Sequence, residues 1–204
     1  MAESAICLDA MGVLFAAPDD VGELLMPFLR QRGCDRDEAA IRGYYRRCSL
    51  GEFTSAELWR RFGVEGNSAE LDDTYLARHR TIAGVVELAA RLAARGTQVA
   101  CVSNDIREWN RWRRVRHGLD RDISPWIVSA DVGARKPDHR IYQALLRVTE
   151  TTAQRWTFVD DREPNLDAAR ELGFRTVRFG GPSTAHAFAR DAGELAALLE
   201  GAGR

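Results

Sequence analysis

The 204-residue chain is 45% hydrophobic and 29% charged, enough for one well-buried α/β domain with an insertion and too little for two comfortable independent domains. With 29 Lys and Arg against 30 Asp and Glu, the net charge of -1 gives no pull toward nucleic acid or an anionic membrane. No apolar run approaches the ~20 residues of a membrane span, and MAESAICLDA lacks the segments of a secretory signal, so a cytoplasmic monomer or homodimer is expected.

The first stretch, AICLDAMGVLF over residues 5–15, is an apolar run that stops abruptly on Asp9 and continues into a turn containing Gly12. Parallel α/β sheets present ligands with the side chains at the carboxyl ends of their strands, which makes Asp9 a candidate nucleophile or metal ligand. A helix over 21–31 is closed by Gly33, and Asp35 is expected to cap a second helix through residue 47, with Gly51 beyond its end. Thr54 and Glu57 form a capping box for a third helix carrying Leu58, Trp59 and Phe62, and Asn67 with Glu70 repeats the pattern. Residues 16–80 thus read as helix after helix without a strand.

After Thr81 the pattern becomes a strict alternation: helix 84–95, strand 98–102, helix 106–117, strand 126–129, helix 140–148, strand 156–159, a helix through 172, strand 175–179 and an Ala- and Leu-rich C-terminal helix. Repeated units of this kind predict a parallel sheet covered on both faces. The core is then residues 1–15 and 81–204, and 16–80 is an all-helical insertion. Within 105–117, Arg107, Arg111, Arg113, Arg114 and Arg116 beside Trp109 and Trp112 read as a solvated helix with buried tryptophans rather than a nucleic-acid surface. Tyr44, Tyr45, Trp59 and Tyr75 read as the insertion's own core. Cys7, Cys34, Cys48 and Cys101 lack metal-site spacing, and Cys7 and Cys101 read as small buried hydrophobes. The four histidines fall in no ligand motif.

The strand ends carry the chemistry. The second ends in Ser103-Asn104, the fourth in Asp160-Asp161, and the loop 133–137 brings Lys136 toward a helix. Lys136 is the only lysine, the other 28 basic positions being arginine, which suggests that a compact ammonium is required there. Asp160 and Asp161 repel each other, and with Asp9 opposite they form a negative pocket that a divalent cation would satisfy. Magnesium suits one or two carboxylates plus water and phosphate oxygens.

LDAMGVL, VSN, GARKPDHRIY and FVDDREPNLDAA together, in order and over nearly the whole chain, resemble the four motifs of the haloacid dehalogenase superfamily. The resemblance implies a Rossmann-like core with a small helical cap. It also implies Asp9 as nucleophile, Ser103 and Lys136 binding a transferred phosphoryl group and Asn104 near the substrate. Asp161 would be the direct magnesium ligand, Asp160 a supporting or alternate one, and the Met11 backbone carbonyl would face the metal. One position departs: most phosphatases of the superfamily carry a second Asp two residues after the nucleophile, where this chain has Met11. General acid–base catalysis contributes ~10² to 10⁴ in rate. Three readings remain: a magnesium-dependent phosphohydrolase or phosphotransferase on a small phosphorylated metabolite, a metal-independent 2-haloacid dehalogenase, or a catalytically weak or inactive binding protein.

Overall fold

Four consecutive buried residues, AICL, form β1 (Ala5–Leu8) and leave no face for water, as expected of a strand inside a parallel sheet. In the computed structural model, which describes residues 5–181, 183 and 185–201, β1 lies at the centre of a six-stranded parallel sheet. Its companions are β2 (Val99–Ser103), β3 (Trp126–Val128), β4 (Trp156–Asp160), β5 (Arg175–Phe179) and β6 (Ala187–Ala189), in the order β3-β2-β1-β4-β5-β6. Leu8 pairs with Cys101 of β2 and Val159 of β4. The residue following β1 therefore emerges between the ends of β2 and β4.

The described chain between β1 and the next core helix contains only helices. A π-helical turn at Val21–Leu25 runs into α1 (Met26–Gln31), followed by α2 (Glu38–Cys48), α3 (Ser55–Phe62) and α4 (Ser68–Leu76). Thr54 accepts a hydrogen bond from the Glu57 amide at 3.3 Å, and Asn67 from the Ala69 and Glu70 amides at 2.9 and 3.3 Å. The cap of α2 is Asp37, which accepts from the Ala40 amide at 2.7 Å, two residues later than expected. The reason is tertiary: Arg30 donates to the Cys34 and Arg36 carbonyls and Arg36 to the Arg61 carbonyl, which holds 34–36 out of the helix.

The core helices are α5 (Val85–Ala94), α6 (Arg107–Arg116), a single turn α7 (Ser129–Val132), α8 (His139–Thr149), α9 (Glu163–Glu171) and α10 (Ala192–Gly201). The period of two along β1 divides them. Ile6 and Leu8 pack in the cluster that holds Val85, Leu88, Leu92 and Leu195, while Ala5 and Cys7 pack with Ile141, Tyr142, Leu145, Leu166 and Ala169. All four cysteines are free and buried. No helix among the described residues is long and apolar enough to cross a membrane.

Helix α6 belongs to both layers. Its Trp109, with Ile106 just before its first turn, completes the cluster of Phe28, Trp59, Phe62 and Tyr75, with Trp109 and Tyr75 ring centroids 4.7 Å apart. Asp72 of α4 accepts from Ser55 Oγ, Trp59 Nε1 and Trp109 Nε1 at 2.7, 2.7 and 2.6 Å, tying the insertion to the sheet side. The reading of α6 as a solvated helix with buried tryptophans needs two corrections: Trp112 is only half-buried, and one arginine is not solvated. Arg113 has a side chain 1% exposed and pairs with the equally buried Asp105 at 2.5 Å.

Candidate active site

The end of β1 delivers Asp9 into a crevice flanked by the ends of β2 and β4, where Ser103, Asn104, Asp160 and Asp161 arrive. Asp9 is nearly buried and its Oδ1 accepts from the Ala10 amide at 2.6 Å. Lys136, with 1% of its side chain exposed, sets its ammonium 2.6 Å from Asp9 and 2.8 Å from Asp160. Asn104 fixes the loop that supplies it: its Nδ2 donates to the Lys136 carbonyl at 3.0 Å, and its Oδ1 accepts from the Lys136 amide at 2.7 Å.

The two adjacent aspartates have different surroundings. Asp160 is fully buried and saturated, accepting from Lys136 Nζ, the Arg162 amide and Asn165 Nδ2. Asp161 Oδ1 is buried without any partner, as is Ser103 Oγ. Buried polar atoms are rarely left unpaired, so an unpaired acceptor and an unpaired hydroxyl in one crevice point to a ligand. Oxygens of Asp9, Asp160 and Asp161 lie within 4.8 Å of one another. Burial pushes Asp161 up to about 6, with Asp160 adding to the shift and Arg162 and Lys136 opposing it. Burial likewise raises Asp9, against the pull of Lys136 and with the push of Asp160 and Asp161. Lys136 is raised despite burial because Asp160 and Asp9 face it. The unpaired Asp161 oxygen with the Asp9 carboxylate beside it offers hard donors whose chemistry fits a divalent cation such as magnesium.

Gly12 makes this approach possible. Its φ is +87°, and a Cβ there would lie 2.6 Å from Asp161 Cγ, so the turn requires a residue without a side chain. Met11 is 9% exposed and sits in the apolar cluster with Leu14 and Phe15 while also reaching the crevice.

Above these groups lies a cleft of about 380 Å³. The insertion contributes Asp19, Asp20, Arg42, Tyr45 and Arg46 to its wall, and Arg135, Arg162 and Asn165 come from the core loops and α9. A larger cavity of about 680 Å³ lies at the opposite ends of the strands, around Ile6, Thr157 and Thr176, remote from the carboxylates. Every residue singled out at the strand ends thus lies in one crevice. Asn165, Arg135 and Asp20 were not anticipated. Asn165 had a signal, standing in the first turn of the helix after Asp160-Asp161, whereas Asp20 had none.

The sequence profile of haloacid dehalogenase-like hydrolases matches residues 6–173. The chain is 36% identical over 58 residues to the GMP/IMP nucleotidase YrfG of Escherichia coli strain K12, a match covering 28% of this chain and only 26% of that relative. Its structure is similar to a HAD phosphatase from Thermococcus onnurineus, with a TM-score of 0.76 and 21% identity over 97% of this chain and 98% of the other. It is also similar to a HAD family enzyme, bt-2542, from Bacteroides thetaiotaomicron, solved with magnesium and inorganic phosphate, with a TM-score of 0.74 and 18% identity over 90% and 98% of the two chains. With more than half its length matched by that profile and the carboxylate crevice at the expected sheet edge, this chain belongs to the haloacid dehalogenase-like hydrolase family.

Proposed function

We propose that the protein is a magnesium-dependent phosphohydrolase or phosphotransferase that acts on a small phosphorylated metabolite through an aspartyl phosphate on Asp9, with residues 16–80 serving as a cap over a core of 1–15 and 81–204. The observation that carries this reading is the buried Lys136 ammonium between Asp9 and Asp160, beside the unpaired Ser103 hydroxyl. An ammonium and a hydroxyl flanking a carboxylate suit an incoming phosphoryl group, because they neutralise and bind its oxygens while the carboxylate attacks phosphorus.

In this mechanism Asp9 displaces the leaving oxygen and becomes phosphorylated, with Lys136 and Ser103 holding the transferred group. Asn104 keeps Lys136 in place and lines the cleft beside the substrate. Asp161, Asp9 and the Met11 backbone carbonyl would hold magnesium, with the saturated Asp160 in support. Bound there, the ion would offset the charge of two anions brought together. Water or another acceptor then takes the phosphoryl group. The magnesium and phosphate of bt-2542 and the phosphatase from Thermococcus onnurineus support this choice.

Met11 favours a second reading, 2-haloacid dehalogenation, because a departing halide needs no acid. The Asp160-Asp161 pair opposes it, since that chemistry needs no metal. A panel of phosphorylated metabolites, an aryl phosphate and 2-haloacids, assayed with and without magnesium, separates the readings. Magnesium-dependent phosphate release with a phosphate adduct on Asp9 by intact mass is expected. Metal-independent halide release would replace the proposal, and no turnover of any substrate would leave a binding protein.

A further inference from the structure

If the site transfers phosphoryl groups, the leaving oxygen needs a proton and the thioether of Met11 has none to give. Besides arginines, the described residues lining the cleft include five titratable groups, Asp9, Asp19, Asp20, Tyr45 and Lys136, while the saturated Asp160 and the proposed metal ligand Asp161 lie against Asp9. Asp9 and Lys136 hold each other at 2.6 Å. Asp19 is gripped by two guanidinium nitrogens of Arg42 at 2.8 and 2.7 Å, and this keeps its carboxyl below the usual range and ionised. Tyr45 is buried, and its phenol is held well above its ordinary value.

Asp20 differs from all four. It is 7% exposed, it has no ion-pair partner among the described residues, and its carboxyl accepts one side-chain hydrogen bond, from the Tyr45 hydroxyl at 3.2 Å. The charged and titratable groups facing it are Arg113 and Asp105 on the α6 side, Tyr45 from α2, Tyr75 from α4 and Arg135 from the loop before α8. Burial raises its carboxyl to about 6; Asp105 adds to this, while Arg113, Tyr45 and Arg135 oppose it. Asp9 and Asp20 line one space of about 380 Å³, the size of a small-molecule site.

Resting on the phosphohydrolase reading, we propose that Asp20 is the general acid and general base of this site, taking the part that position 11 cannot. The Asp20 carboxyl gives its proton, directly or through one water, to the leaving oxygen as the phosphorus–oxygen bond breaks and the Asp9–phosphorus bond forms. The resulting Asp20 carboxylate takes a proton from water as that water's oxygen attacks phosphorus. The Asp9–phosphorus bond breaks, inorganic phosphate leaves, and both aspartates return to their starting states. Substrates therefore owe their proton transfer to the helical insertion rather than to the first strand's turn.

The test uses Asp20→Asn, which keeps the shape and an acceptor for Tyr45, and Tyr45→Phe, which keeps Asp20 and removes its donor. Both are assayed with magnesium on an alkyl and an aryl phosphate across pH 4.5–9. Asp20→Asn is expected to lower alkyl turnover by ~10² while the aryl burst slows far less, and to remove the ionisation near 6 from the alkyl profile. Tyr45→Phe is expected to move that ionisation to higher pH, because the lost hydrogen bond favoured the carboxylate. Equal slowing of alkyl turnover and of the aryl burst, or an unchanged ratio and profile, would overturn the role of Asp20. Absence of aryl phosphate turnover in the unmodified protein would instead overturn the phosphohydrolase reading, and the role with it.

Discussion

Replacing Lys136 by Met removes the one cation that touches both Asp9 and Asp160 and leaves the chain length nearly unchanged. Both ion pairs are short, 2.6 and 2.8 Å, and the lysine and Asp160 side chains are 1% and 0% exposed, so solvent cannot take the ammonium's place. Breaking a buried pair in this way costs about 3–5 kcal/mol. For a chain of 150–250 residues each kcal/mol moves the melting temperature by about 2–4 °C, which predicts a fall of roughly 6–20 °C. Lys136→Arg keeps the charge but forces a longer, planar head against Asp9, Asp160 and the Phe158 ring, whose centroid is 5.3 Å from Nζ. Overpacking of that kind costs about 1–3 kcal/mol, and because the fork cannot occupy the ammonium's position, most phosphoryl-transfer activity should be lost as well. Urea unfolding of both variants, of Asp160→Asn and of the Lys136→Met/Asp160→Asn double variant gives the coupling directly. Additive losses in that cycle, or a Lys136→Met protein as stable as the parent, would refute the reasoning.

Magnesium titration by calorimetry should show binding that Asp161→Ala abolishes; equal affinity in both proteins would remove Asp161 from the proposed ligand set. Gly12→Ala is expected to weaken magnesium binding and to lose about 1–2 kcal/mol of stability in thermal unfolding, since φ is +87° and the new methyl meets Asp161. Asp72→Ala orphans the buried Trp59 and Trp109 ring N–H groups at about 1–3 kcal/mol each, and a loss below 1 kcal/mol in urea would count against the tie between the insertion and α6. His79 is held down to about 3 by burial and by Arg113. The unfolded chain therefore binds its proton first, and stability present above about pH 6.5 is lost as pH falls toward 3, by up to ~1.4 kcal/mol per pH unit. His79→Gln should flatten that acid limb in pH-dependent unfolding.

The parallel sheet was readable because β1 and β2 are apolar runs that stop on polar residues, and burial on both faces demands such runs. Ser103-Asn104 and Asp160-Asp161 stood out for the same reason, and Lys136 through its isolation among arginines. The short β6, Ala187–Ala189, offers no such run and its first two residues are exposed. The Asp37 cap escaped notice because Asp35 is an equally good capping residue, and only the long-range hydrogen bonds of Arg30 and Arg36 decide between them. Arg113 is one of five arginines on its helix, and which one turns inward depends on Asp105 and on the insertion packed above it. Asp20 was hidden likewise: its burial comes from helices distant in sequence.

The two halves of the site follow different physical rules. The clustered carboxylates, hydroxyl and ammonium sit on strand ends and their adjoining turns, where a rigid sheet fixes Asp9, Ser103 and Asp160, and Lys136 is clamped by Asn104. The groups that the insertion adds to the cleft wall come from residues 18–21 and from α2. Met11 belongs to the first half by position, yet its side chain is built into the apolar cluster with Leu14 and Phe15, at 9% exposure. A carboxylate introduced there would have to leave that packing or lose its solvation. Restoring the missing acid at position 11 is therefore a change of packing as much as of chemistry. On the proposed reading, proton transfer from the insertion would cost less disturbance, because its wall already carries in Asp20 a buried carboxyl without an ion-pair partner among the described residues.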